Sequence, residues 1–192
     1  MSKFIPGKIV KEFVTKSGRP AMIRYPKWED VNDLLAHINS VSSENVFITF
    51  SGEQQSLEQE SLYLSSEFTA MEVGRAVKLF CYVDGKFAGV CDIHRDISKK
   101  ERTKHVGIFG LVISRGFRGD GIGFELAAAT ISEAKKQMAG LRLILLDCFA
   151  QNTPAISLYS KLGFSETGRV PKALLYKGAY DDEVHMALEI GV

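Results

Sequence analysis

Cysteine is scarce. The 192 residues contain three, Cys81, Cys91 and Cys148, each inside an apolar, strand-like run. An odd, small number placed this way argues against a disulfide or metal framework, so buried reduced thiols and no metal are expected. A surplus of charge of one sign is also missing, since 24 Lys and Arg against 23 Asp and Glu leave a formal net charge of +1. That removes the basic balance with which proteins usually meet nucleic acid. No apolar run approaches the length of a bilayer span, and the N-terminal MSKFIPGKIVKEF has no signal-peptide core. A cytoplasmic protein with no nucleic-acid and no membrane partner is the expectation, with a homodimer left open. Internal repeats, low-complexity tracts and linkers are absent too, which points to a single domain over residues 1–192.

The rest of the chain alternates between strand and helix patterns. KIVKEFVTKSG and PAMIRY read as two strands joined by a Ser-Gly turn. KWEDVNDLLAHINSV places Val31, Leu34, Leu35 and Ile38 on one helical face, and the helix in SLEQESLYLSSEFTAM begins with Ser56 and Gln59 at capping-box spacing. VKLFCYVDGKFAGVCDIH is two apolar runs around Asp84-Gly85, a strong antiparallel hairpin signal. HVGIFGLVIS is a strand, and a Gly-rich loop leads from it into a helix carrying Ile122, Leu126, Ile131 and Ala134. LRLILLDCF then reads as a strand buried on both faces. Strand, loop, helix and strand in that order imply a parallel, right-handed crossover. A short helix from Thr153 has Pro154 at a permitted first position and Gly163 as its stop, and RVPKALLYKGAYDDEVHMALEI reads as a final hairpin. The fold class is mixed α+β (α/β), a central mixed, mostly antiparallel sheet with helices on both faces.

Gly119, Gly121 and Gly123 stand at every second position directly before a good helix. Glycine there costs entropy, so its use points to close approach of an anion to bare backbone or to a tight turn. The first-turn N–H groups of a helix have no intrahelical partner and carry partial positive charge, which suits phosphate. A dinucleotide fingerprint fails because Phe124 stands where its last glycine belongs. A nucleoside-triphosphate loop fails because Gly123 is followed by Phe124 and Glu125 instead of Lys and Ser/Thr. What remains is Arg-x-x-Gly-x-Gly, formed by Arg118, Gly121 and Gly123, behind a strand ending at Ile113.

LVISRGFRGDGIGFELAAATISEA, together with LDCFAQNTPAISLYSKLGF, resembles the GNAT family of N-acetyltransferases over roughly residues 75 to 190. Asn152, Ala155, Tyr159 and the Gly163-Phe164 pair stand at the family's spacing. The resemblance implies an acyl-CoA N-acyltransferase fold and acetyl-CoA as the acetyl donor. Its pyrophosphate would be cradled by Arg118, Gly119, Asp120, Gly121, Ile122 and Gly123, with Arg115 adding charge. It further implies that backbone groups of Leu111, Val112 and Ile113 meet the pantetheine arm and the oxyanion. Asn152 would lie near that arm, and Tyr159 would stand near the sulfur as general acid. Asp147 is the only charge after Arg142 in its strand and lies near the strand's carboxyl end, where sites in open α/β sheets gather. It is the candidate base, in an apolar surround expected to raise its pKa, with His105 as rival.

From Trp28 to Gly74 there is no lysine or arginine, whereas Glu29, Asp30, Asp33, Glu44, Glu53, Glu58, Glu60, Glu67 and Glu72 are acidic. In the resembling family this segment walls the acceptor groove, so a small cationic amine such as a polyamine is the expected acceptor. Tyr63, Phe47 and Phe50 would supply its apolar part. The alternatives are a ribosomal-protein-type peptide N-terminal acetyltransferase, a preference for a longer acyl group, and a non-catalytic acetyl-CoA-binding module.

Overall fold

The structure, a computed structural model, describes residues 4–191. Strands β1 (Ile9–Val14) and β2 (Pro20–Arg24) pair around the expected turn, and Gly18 takes a left-handed φ of +83° there. Helices α1 (Val31–Ser43) and α2 (Leu57–Glu72) follow. Helix α2 opens on the predicted capping box. Gln59 N–H donates to Ser56 Oγ at 3.2 Å, and Ser56 N–H donates to Gln59 Oε1 at 2.8 Å, so two otherwise orphaned donors are satisfied.

Strands β3 (Ala76–Val83) and β4 (Lys86–Arg95) form the Asp-Gly hairpin, with φ of 50° at Asp84 and 73° at Gly85. Then come β5 (Val106–Ile113), one 3-10 turn (Arg115–Phe117), α3 (Ile122–Gln137), β6 (Leu143–Phe149) and α4 (Thr153–Lys161). The last hairpin is β7 (Ser165–Tyr176) with β8 (Ala179–Glu189), and its first strand begins before the expected Arg169. Among the described residues no helix is long and apolar enough to cross a membrane.

The eight strands form one sheet in the order β1-β2-β3-β4-β5-β6-β8-β7, antiparallel except between β5 and β6. Strand β3 is buried along its whole length because helices cover both of its faces. Leu79, Cys81 and Val83 join Leu126, Ala127 and Ile131 of α3 in one core, while Phe80 and Tyr82 join Val31, Leu34 and Leu64 of α1 and α2 in a second. Burial of each large side chain contributes about 1.5–3 kcal/mol, so these two layers hold the sheet against its chain entropy. The buried face of α1 runs through Val31, Leu34, His37 and Val41, with Leu35 and Ile38 half-buried beside it.

Strand β6 departs from its expected double burial. Ile144 and Leu146 enter the core, Leu143 and Leu145 are half-buried, and Asp147 is exposed. The reason is that α1 and α2 chiefly contact β3 and β4 and leave the far side of β6 open. Cys148 is correspondingly only half-buried, whereas Cys81 and Cys91 are buried, and all three are free thiols.

The feature that positions the site is a split in the sheet. β4 and β5 pair from Gly89–Ile113 to Arg95–Gly107, but β5 and β6 pair only over Val106–Ile108 and Leu143–Leu145. Beyond Ile108 the two parallel strands diverge. One edge of Phe109–Ile113 therefore has no strand partner, an arrangement that buried backbone seldom tolerates without a ligand or water.

Candidate active site

A cleft of about 1210 Å³ occupies this split and runs from the β1–β2 turn to the tip of the β7–β8 hairpin. Its wall includes Leu111, Val112, Ile113, Arg118, Gly119, Asp120, Gly121, Gly123, Asp147, Asn152 and Tyr159. Residues chosen from separate parts of the sequence thus meet on one surface. Ile122 is the exception, since its side chain is buried in the core and only its backbone belongs to the first turn of α3. His105 is exposed before the paired end of β5, where its carbonyl accepts the N–H groups of Arg142 (2.8 Å) and Leu143 (3.2 Å). It does not line the cleft, and neither does Arg115.

The three glycines have two different reasons. Gly119 and Gly121 have φ of +81° and +85°, a left-handed conformation that a side chain disfavours. Gly121 is the N-cap of α3, so the N–H groups that follow it face the cleft end of the helix. Gly123 is helical, and a Cβ there would lie 3.1 Å from Leu158 Cδ1, so this glycine lets α4 pack against α3. Asp120 turns its carboxylate toward the β1–β2 turn. It accepts from Ser17 N–H (2.7 Å), Ser17 Oγ (2.6 Å) and Arg19 Nη2 (2.8 Å), and these bonds hold its carboxyl well below the usual carboxylate range. Arg118 is committed as well: Nη1 bonds Glu44 Oε2 at 2.7 Å, and Nε donates to the Ile113 carbonyl at 2.8 Å.

Tyr159 sits at the floor of the cleft, its ring edge-to-face with Phe109 at 5.7 Å between centroids. Burial, with smaller effects from Cys148, Cys91 and Asp147, pushes its phenol far up, so the hydroxyl keeps its proton at neutral pH. Asp147 pairs across the sheet with His185 and stands exposed on the cleft wall, without the apolar surround expected from its strand. Asn152 caps α4 through its carbonyl, which accepts from Ala155 and Ile156, while its side chain makes no capping bond.

Sequence reading missed two parts of this surface. One is the β1–β2 turn, where Thr15 and Lys16 line the cleft beside Gly121. The other is Tyr176 and Phe149 at the opposite end, whose rings pack with the expected Phe47 at 4.5 and 5.4 Å between centroids. Of the aromatics expected there, only Phe47 lines the cleft. Tyr63 instead accepts a hydrogen bond from Lys78 at 2.7 Å, and Phe50 lies off the wall. No local pattern signals either region, because each is created by contacts distant in sequence.

The acidic wall is not there either. Asn45–Ile48, Thr49 and Ser51 do border the cleft, but none of the nine carboxylates between Trp28 and Gly74 does. Asp30 forms a bidentate pair with Arg24 (2.7 Å to each oxygen), Glu44 holds Arg118, and Glu67 lies 3.1 Å from Lys78. Glu29, Glu58 and Glu72 are exposed helix-surface residues. Away from the cleft, Glu67, Asp92 and His94 bring ligand-type atoms within 4.8 Å of one another. The Lys78 ammonium is held among them, 2.6 Å from Asp92, which gives the group a resident cation.

A family model described as the acetyltransferase (GNAT) family matches residues 36–164. The L-amino acid N-acetyltransferase AaaT of Escherichia coli is 31% identical over 110 residues, which are 57% of this chain and 66% of that protein. The chain thus spans just under two thirds of that relative, and 38% of a further N-acetyltransferase from Methanocaldococcus jannaschii. Among solved structures, an acetyltransferase of the GNAT family from Streptococcus pneumoniae superposes with a TM-score of 0.80 at 26% identity, over 89% of this chain and 99% of that one. The Salmonella typhimurium protein yncA, solved with its cofactor acetyl-CoA, has the same fold, with a TM-score of 0.78 at 17% identity over 90% and 95% of the two chains.

Proposed function

As the chain belongs to the GNAT family of acetyltransferases, we propose that it transfers an acetyl group from acetyl-CoA to a primary amine. The observation that carries this reading is the split between β5 and β6. It leaves a bare backbone edge at Phe109–Ile113 that leads straight to the left-handed glycines and the N-terminus of α3. Such a path fits a pantetheine arm followed by a diphosphate, because amides meet amides along the strand and phosphate meets N–H groups at the helix.

The chain's own groups then divide the work. Backbone N–H of the open β5 edge, in the segment that includes Leu111, Val112 and Ile113, stabilises the oxygen that becomes negative as the amine nitrogen bonds to the thioester carbon. Asp147, on the opposite wall, takes the proton that the amine sheds. As the carbon–sulfur bond breaks, the Tyr159 hydroxyl delivers a proton to the departing thiolate, and Asn152 lies beside the arm.

For the acceptor, the sequence favoured a polyamine on the strength of an acidic segment whose carboxylates are engaged or turned away from the cleft. The cleft wall carries Asp147 and Glu183, which stands across the β6–β8 ladder from Phe149 with His185 Nε2 3.2 Å from its carboxylate, and Phe47 and Tyr176 line the same cleft. Two carboxylates beside an aromatic group suit a primary amine on a small apolar body, and the E. coli relative named for L-amino acids supports that direction. A thiol-release assay with spermidine, leucine, phenylalanine and a short peptide tests both levels. Turnover with at least one amine is expected, fastest for the aromatic amino acid. Tyr159→Phe should lower kcat by about 10²-fold with the KM for acetyl-CoA nearly unchanged. No thiol release with any amine would reject the enzyme, and a preference for spermidine would reject the apolar acceptor alone.

A further inference from the structure

We propose that Lys16, on the turn between β1 and β2, is the cation that binds the diphosphate of acetyl-CoA, held in place for that task by Asp120. The inference rests on the coenzyme reading above and names a residue outside the glycine motif. Among the described residues three cations line the cleft: Lys16, Arg118 and Lys161. Arg118 is occupied, with Glu44 at 2.7 Å and the Ile113 carbonyl at 2.8 Å. Lys161 belongs to the last turn of α4. Lys16, on the β1–β2 turn, lies against the glycine loop. Its Cγ and Cε would each be 3.4 Å from a Cβ at Gly121, so its stem runs along the bare glycine, and among the described residues no carboxylate pairs with its ammonium. A free ammonium beside left-handed glycines and a helix N-terminus joins the two components of a phosphate site, point charge and backbone N–H groups.

The turn is fixed to the loop by more than proximity. Lys16 N–H donates to the Asp120 carbonyl at 3.2 Å, and the Asp120 carboxylate accepts from Ser17 N–H, Ser17 Oγ and Arg19 Nη2 at 2.6–2.8 Å. Arg19 in turn lies over the Phe117 ring, 5.3 Å from its centroid. Asp120 would therefore not touch phosphate. It is a positioning residue that sets the register of the hairpin against the glycine loop, and its negative charge is neutralised by Arg19, which leaves the Lys16 ammonium beside the glycines without a competing carboxylate.

The test compares wild type with Lys16→Ala, Lys16→Arg and Asp120→Asn on three thioesters: acetyl-CoA, acetyl-dephospho-CoA and S-acetyl-pantetheine, which has no phosphate. Lys16→Ala should raise KM about tenfold for both nucleotide thioesters, leave kcat within twofold, and leave S-acetyl-pantetheine kinetics unchanged. Lys16→Arg should restore most of the loss. Asp120→Asn should reproduce part of it, and adding it to Lys16→Ala should cost little more, since both act through one contact. An equal loss with S-acetyl-pantetheine would make Lys16 a structural residue, and a loss confined to acetyl-CoA would place it on the 3′-phosphate; either overturns the proposal. Calorimetry with CoA is run in parallel. A wild-type protein that binds no CoA removes the coenzyme reading itself, whereas wild-type binding that Lys16→Ala leaves intact removes only the inference about Lys16.

Discussion

His37 and His94 are both held by the fold, and they respond to pH in opposite directions. Burial pushes His37 down to about 4, helped by the positive charges of Arg118 and Lys78. Its Nδ1 lies 2.7 Å from Ser114 Oγ, and its Nε2 is buried without a partner, so an added proton would find no acceptor. Between roughly pH 6.5 and 4 the unfolded chain binds a proton that the folded one refuses, so stability falls on acidification through that window. The shift corresponds to roughly 3 kcal/mol. At His94, burial favours the neutral ring but is outweighed by Glu67, 3.0 Å from Nε2, and by Asp92, so its pKa is raised. Its contribution is complete below the ordinary histidine value and is lost as pH rises through the raised one. A melting-temperature profile should therefore slope down below pH 6.5, and His37→Asn should flatten that acid slope. A slope unchanged in the variant would assign acid sensitivity to other groups.

Between secondary-structure elements, one buried cluster joins α2, β3 and β4. Lys78 is fully buried, bonds Asp92 at 2.6 Å and Tyr63 at 2.7 Å, and lies 3.1 Å from Glu67. Burial alone would strip its proton, but Asp92, Tyr63 and Glu67 raise its pKa and keep it charged. Lys78→Met would leave two carboxylates with only the partly exposed His94, 3.0 Å from Glu67 and 3.7 Å from Asp92, as counter-ion. The expected cost is about 3–5 kcal/mol, a fall in melting temperature of about 10 °C, with partial recovery in the double variant with Asp92→Asn. A loss below about 1 kcal/mol would show the carboxylates to be solvated by relaxation of α2.

The same elements show what the sequence makes legible. Local codes read correctly: the Asp84-Gly85 turn, the Ser56–Gln59 box, and the proline and glycine that bracket α4. Each is written within a few residues, so its physics is complete in a short window. Lys78 read only as part of an apolar strand, because its partners come from residues 63, 67 and 92. The acidic run misled for the same reason: three of its nine carboxylates, Asp30, Glu67 and Glu44, meet Arg24, Lys78 and Arg118, none of them inside the segment. Arg118 and Asp120 were placed on the ligand by motif, whereas long-range partners had already engaged their charges.

Across the whole sheet, six of the seven strand interfaces are antiparallel ladders, three of them with a register shift, and the seventh is closed for only three residue pairs. The glycine motif could reveal where that seam ends but not that it opens, since nothing local in HVGIFGLVIS or LRLILLDCF distinguishes a paired strand from one that parts after Ile108. The split bears on the protein's stability as well as on the proposed catalysis. A coenzyme lying along Phe109–Ile113, as proposed, would supply the missing rungs and act as a transient extra strand, so part of the hydrogen-bond ladder would be borrowed from solution. At a hundredfold excess over Kd it would add about 2.7 kcal/mol to unfolding. Amide exchange should show it locally. N–H groups of Gly110–Ile113 should exchange at least tenfold more slowly with CoA bound, and protection confined to the start of α3 would contradict the borrowed strand. Resistance to proteolysis would then rise and fall with the supply of the proposed donor, and the abundance of the protein would follow that metabolite.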